Sequence, residues 1–431
     1  MSTARTQAVR NVSRSRLGLF YLLAVLGYVL AVVILSYREG LTAAAKIAAL
    51  MLAGLFLLRT VTSSERIFFP IEYKLLIGWF VAGVISSAFS SEPATALPRI
   101  VTLMQIFPVA FIISNIAYWN GTLRFYWLFI VAATVVSCVV TLASVSTFSS
   151  IDGRLFGTLG NANAFAALLA AAVAICVGSL LGIRVLAMKV VALALAGLFF
   201  YMLSRTGSRM GMMAAISAVV MVTLCYQSAA RGKGLSRYAA VIVFGVGLLA
   251  AMIYFLSSSE FADRLQAFVQ AVRTGDFKDV GDMSLQNRAR LYGKALELML
   301  GSPLIGVGLD VFRTAGLDFR MIGNNSHSNY MEVLASTGLL GAPLYFGMYY
   351  SWWSRLIKAR GALHDPRLAM RFAIAAALAT IILVFDVAWV TYYQKLVWLV
   401  LAGLIAEVHL LSREVRSASR VPGRSLASGH G

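Results

Sequence analysis

Apolar residues dominate this chain in long, nearly unbroken runs, separated by short polar connections. The runs lie near 17–36, 41–58, 75–90, 100–118, 125–147, 161–182, 188–203, 210–229, 239–257, 330–353, 369–390 and 396–412. Each is long enough, at roughly 18 residues or more, to cross the bilayer's hydrocarbon core as a helix. They lack the short alternating strands of a membrane barrel. The pattern predicts an all-α polytopic membrane protein with about 12 transmembrane helices.

The polar stretches divide the chain further. Residues 1–16 read as a basic cytoplasmic N-terminus, 17–257 as helices 1–9, and 258–327 as a long loop on the external side. Residues 328–412 read as helices 10–12, and 413–431 as a cytoplasmic tail. The basic start leads into an apolar run with no small-residue cleavage site, so no removable signal peptide is expected. Within the long loop, Phe261, Leu265, Phe268, Val269 and Val272 predict a helix lying along the membrane surface. A second helix follows in SLQNRARLYGKALELMLGSP, with Ser284 as N-cap and Gly301-Ser302-Pro303 as its stop.

Composition agrees with a membrane protein: 60% of residues are hydrophobic and 13% charged, and the mean hydropathy is +0.80. The net charge of +19 could suggest nucleic acid. The lysines and arginines are instead spread over alternate short connections: Arg59, Arg66 and Lys74, then Arg124, then Arg184 and Lys189, then Arg355 to Arg371. That is the positive-inside bias, which places both termini in the cytoplasm and argues against a nucleic-acid partner. Cys138, Cys176 and Cys225 sit within apolar runs and read as small core residues.

Candidate chemistry falls on the less basic side. In LSRTGSRMG, Arg205 and Arg209 flank a tight turn where a helix enters the membrane, and its positive end adds to theirs as an anion site. In GRLFGTLGNANAF, Asn161 and Asn163 stand at a helix start, either capping it or hydrogen-bonding substrate, with Arg154 beside them. Arg288 shares the stripe of Tyr292, Ala295 and Met299, where an arginine is costly unless it meets an anion. Arg290 falls on the solvated face and is the weaker substrate-binding candidate. PLIGVGLDVFRTAG reads as a turn packing back on the bundle, not as a phosphate loop. His327, between Ser326 and Ser328, is the one histidine on this side. It has no ligand partners at metal spacing, and a neutral imidazole beside arginines suits proton transfer.

In combination these segments resemble the O-antigen ligases and O-antigen polymerases of bacterial envelopes. SRMG (208–211) resembles the family's Ser-Arg-Gly helix start, with Met210 where glycine is usual. NRARLYGKALELMLGSPLIGVGLDVF (287–312) resembles its arginine, aromatic and Pro-x-x-Gly-x-Gly segment, with Tyr292 where tryptophan is common. SHSNYMEVLASTGLLG (326–341) resembles its histidine and Gly-x-x-Gly segment. The resemblance implies a GT-C-like fold in the inner membrane, with the active site periplasmic. It also implies metal-independent glycan transfer from undecaprenyl pyrophosphate to a glycan or lipid acceptor such as lipid A–core, among membrane lipids and without a cofactor. Arg209 and Arg288 would then hold the pyrophosphate, and His327 would orient or deprotonate the acceptor hydroxyl. Arg205 and Tyr330 would support them. Joining of repeat units on the same carrier is the alternative reaction. A lipid-linked oligosaccharide transporter is the alternative class, disfavoured because Asp386 is the main mid-span charge and no repeat is visible.

Overall fold

The computed structural model describes residues 19–36, 41–63, 65–121, 123–150, 153–229, 283–314, 325–360 and 365–419. The predicted span at 239–257 and the predicted surface helix at 260–276 fall outside these residues. The described elements are helical, with one isolated bridge between Ser149 and Leu155 and no strand.

The helices in chain order are α1 (Leu19–Leu35), α2 (Thr42–Thr62), α3 (Ile71–Ala88), α4 (Pro93–Asn120), α5 (Arg124–Ala143) and α6 (Ala162–Gly182). They continue with α7 (Leu186–Arg205), α8 (Arg209–Ala229), α9 (Met283–Gly301), α10 (Asn329–Arg360), α11 (Pro366–Ala388) and α12 (Lys395–Ser419). Nine of these, α2 to α8, α11 and α12, are long and apolar enough to cross a membrane. α1 is apolar but shorter, and closes in a π-helical turn at Ala31–Leu35. α9 is described from Met283, so Ser284 lies within the helix instead of capping it. α12 runs past the predicted limit of 412 to Ser419.

α6 is the centre of the bundle. Its residues 164–178 are all buried and almost all apolar, so the helix is surrounded by protein. Small residues let its neighbours approach closely: Gly178 faces Ile374, Gly182 faces Met370, and Gly211 of α8 faces Ala166. Outer helices turn apolar side chains outward instead, as with Leu50, Met51 and Leu57 on α2 and Leu186 and Val190 on α7.

These contacts fix the helix directions. The end of α6 meets the beginning of α11, so the two are antiparallel. The start of α6 meets the start of α8 through Asn163 and Ser208, and their far ends meet through Tyr226 and Leu181, so these two are parallel. α8 therefore begins at the end of the bundle where α11 stops. α3 and α10 are antiparallel, from Ser351 on Glu72 at one end to Ser86 on the Ser336 carbonyl at the other. One end of the bundle collects Arg59, Arg66, Lys74, Arg124, Arg184, Lys189, Arg355 and Lys358. The opposite end carries His327 and is called the histidine end below.

α10 is the least regular helix. Its predicted span, 330–353, is interrupted: Gly338 has φ 55° and ψ −161°, so two helical halves meet at a break. The segment after α9 fills it. Val307 and Gly308 donate backbone N–H groups to the Ala335 and Ser336 carbonyls, at 2.9 and 3.1 Å. Leu339 and Leu340 donate to the Pro303 and Leu304 carbonyls, at 2.9 and 3.0 Å. Backbone groups freed by the break are thus paired inside protein, the condition for irregular backbone at membrane depth. The Pro303–Gly308 turn packs back on the bundle, as its sequence predicts.

Candidate functional site

The first constellation is built on the turn between α7 and α8. α7 stops because Gly207 takes a left-handed backbone, φ 60°. α8 starts because Ser208 caps it: its Oγ accepts from Gly211 N at 3.1 Å and donates to Asn163 Oδ1 at 3.0 Å. Asn163 is in turn held at the start of α6, which Asn161 caps by accepting from the Asn163 and Ala164 backbones at 2.9 and 3.1 Å. Arg154 closes the group from the preceding loop, its Nε donating to the Thr206 carbonyl at 3.1 Å. Leu155 N donates to the Arg205 carbonyl beside it. The structure therefore brings together Arg154, Asn161, Asn163, Arg205 and Arg209. Arg209 begins α8, where the helix's positive end favours an anion. Arg205 is exposed at the last position of α7.

The second constellation surrounds His327, at the end where α11 stops. Three hydroxyls donate to carbonyls in the last two turns of α11, where those of Asp386 and Val387 are among the four that the helix end leaves open. Tyr330 donates to Leu383 O at 3.1 Å, Ser328 to Asp386 O at 3.2 Å, and Tyr292 to Val387 O at 2.8 Å. Beneath them, the fully buried Asp386 accepts from Asn329 at 3.0 Å, from Tyr349 at 2.5 Å, and from Thr391. Asn329 also accepts from the Thr391 and Tyr392 backbones, both at 3.0 Å. Asp386 is thus a joint between α10, α11 and the link to α12, in place of the isolated mid-span charge its sequence position suggests.

His327 sits above this joint with φ 54°, one of two non-glycine residues with positive φ among those described. Such a backbone costs a residue like histidine on the order of 1–2 kcal/mol. It is held by its surroundings. His327 N donates to Asn325 Oδ1 at 3.1 Å, Ser326 N donates to Glu332 Oε2 at 2.8 Å, and Ser326 Oγ donates to Ser328 O at 2.8 Å. Asn325 extends to Tyr393, whose hydroxyl lies 3.0 Å from Asn325 Nδ2. Burial pushes the Tyr393 hydroxyl above its ordinary range, against the lowering effect of nearby Arg99, so it stays protonated.

Arg99 is the residue the sequence does not reveal. Its guanidinium stacks 3.4 Å from the Tyr393 ring centroid and pairs with Asp310 at 2.8 Å. Asp310 has the other positive φ, 62°, and also lies 3.4 Å from Arg313. The pairing of Arg99 and Asp310 spans 211 residues of sequence.

The residues of α9 complete the picture. Leu291 and Ala295 are buried, Tyr292 is half-buried, and Arg290 is exposed, which fixes the packed face of the helix. Arg288 lies one turn before Tyr292 on that face; its side chain falls outside the described residues.

Residues 194–346 match the family model described as O-antigen ligase. The match supports the O-antigen ligase superfamily. The matched segment contains the Arg205–Arg209 turn, α9, the Pro303–Gly308 turn and His327, and it stops within the second half of α10. α11 and the Arg99 start of α4 lie outside it. No curated protein matches the chain.

Proposed function

We propose that this chain is a metal-independent membrane glycosyltransferase. It takes a glycan from undecaprenyl pyrophosphate and places it on an acceptor, lipid A–core or another envelope glycan, at the periplasmic face of the inner membrane. The observation that carries this reading is that the Arg205–Arg209 turn and His327, around which the two constellations are built, both fall in the family-matched segment. The Arg205–Arg209 turn opens α8 at the same end of the bundle where His327 is held beside the end of α11. In this reading Arg209 and Arg288 bind the pyrophosphate, with Arg154 and Arg205 adding positive charge. His327 takes the acceptor's hydroxyl proton as the new glycosidic bond forms. The bond from the sugar to the phosphate oxygen breaks, and undecaprenyl pyrophosphate leaves with its added negative charge stabilised by the arginines. Both termini, by the positive-inside bias, are cytoplasmic.

A strain lacking the gene, complemented with wild type or His327→Ala, tests this directly. The expected result is long glycan retained on the lipid carrier in the deletion, cured by wild type and not by His327→Ala. Accumulation of single repeat units would instead indicate a polymerase. Full complementation by His327→Ala would remove the mechanism. Activity in membranes should survive a chelator; loss that a divalent cation restores would overturn the metal-free reading.

A further inference from the structure

Glu332 is fully buried in the first half of α10. A carboxylate in such a place is costly unless it has partners. Its expected partner would be a cation, yet Arg99, the cation coupled to it, forms its ion pair with Asp310. Among the described residues, the Glu332 carboxyl accepts from Ser326 N at 2.8 Å, and Oε1 has no partner. The hydroxyl of Tyr392, likewise buried, has none either. Glu332 therefore lacks the ion pair that usually accounts for a buried carboxylate. What it holds is the Asn325–Ser326 peptide, one peptide ahead of the link to His327, the residue with the left-handed backbone.

We propose that Glu332 is a positioning residue for His327. By accepting the Ser326 N–H it fixes the peptide plane on one side of the turn, while Asn325 Oδ1 holds His327 N on the other. Together they keep the imidazole at the one backbone conformation that aims it from the start of α10. The proposal rests on the proton-transfer role given to His327 above. A misaimed base lowers the rate of the chemical step more than it weakens donor binding.

The test uses the full-length protein in membranes with a lipid-linked glycan donor, and compares Glu332→Gln, Glu332→Ala and Glu332→Asp. Glutamine keeps an acceptor oxygen at the same reach; alanine removes it and aspartate withdraws it. The expected result is kcat within about threefold of wild type for glutamine, and at least about tenfold lower for alanine and aspartate, with KM for the donor little changed. The second readout is the rate at which diethyl pyrocarbonate modifies His327, followed by mass spectrometry. It should change in the alanine and aspartate variants and return to the wild-type rate in glutamine. If alanine fails to accumulate in the membrane, the aspartate–glutamine pair decides. Wild-type kcat and wild-type histidine reactivity in both alanine and aspartate would overturn the proposal. So would a glutamine variant as impaired as alanine, because charge and not hydrogen-bond acceptance would then be required. Should His327→Ala retain transfer, the proton-transfer role of His327 fails by itself, and the reactivity of His327 still decides whether Glu332 sets its position.

Discussion

At a left-handed position the usual ranking of side chains inverts, and His327 is where this can be measured. Alanine there keeps the backbone cost, whereas glycine removes it. His327→Gly should be more stable than His327→Ala by roughly 0.5–1 kcal/mol, opposite to their order in a helix, while both lose glycan transfer. Thermal unfolding in detergent, read beside the transfer assay, checks both halves of this statement. Asp386 gives a contrasting case. Removing its carboxylate leaves Asn329, Tyr349 and Thr391 without their shared acceptor. Asp386→Ala should therefore cost about 3 kcal/mol or more, and Asp386→Asn clearly less. The sequence exposes His327 and the Asn161 cap because their signals are local: a polar cluster before an apolar run, and an asparagine at a helix start. It hides Arg99, Asp310 and Glu332, whose meaning comes from partners across a turn or across much of the chain.

At the scale of elements, the two halves of α10 and the Pro303–Gly308 turn form one backbone unit. A Cβ on Gly338 would lie 2.5 Å from the Leu304 carbonyl oxygen, and one on Gly306 would lie 2.5 Å from the Ser336 carbonyl carbon. Neither obstacle is a flexible side chain. Gly338→Ala should destabilise the protein by more than about 2 kcal/mol, because strain at φ 55° adds to the clash. Lower folded yield in the membrane and earlier thermal aggregation would report it. The break escapes a reading by hydrophobic pattern, since 330–353 is apolar on average and glycine alone does not announce a gap. α9 behaves the other way. Its stripe of buried Leu291 and Ala295 follows the helical period, and Arg290 points away from it. Arg288→Ala should abolish transfer and Arg290→Ala should cost less than about threefold, a split the same complementation assay reads. Equal damage from the two would refute the placement of Arg288 on the packed face.

Across the whole molecule, the helix directions and the distribution of cations make one testable statement about orientation. Glu92 is exposed at the histidine end and Lys358 at the opposite, basic end. In a background without Cys138, Cys176 and Cys225, a maleimide that cannot cross membranes should label Glu92→Cys in intact cells whose outer membrane is permeabilised. It should reach Lys358→Cys only after the inner membrane is opened. The reverse pattern would invert the topology and move the proposed site to the cytoplasm. The broken helix also bears on how the protein is made. The ribosome completes the Pro303–Gly308 turn before it reaches Gly338. The second half of α10 therefore emerges when the backbone that will pair with its open N–H groups already exists. Released alone into lipid, that half would carry unpaired Leu339 and Leu340 amides. Its insertion and the docking of the turn are thus coupled steps in biogenesis, with the earlier-made turn serving as an internal template for the later helix.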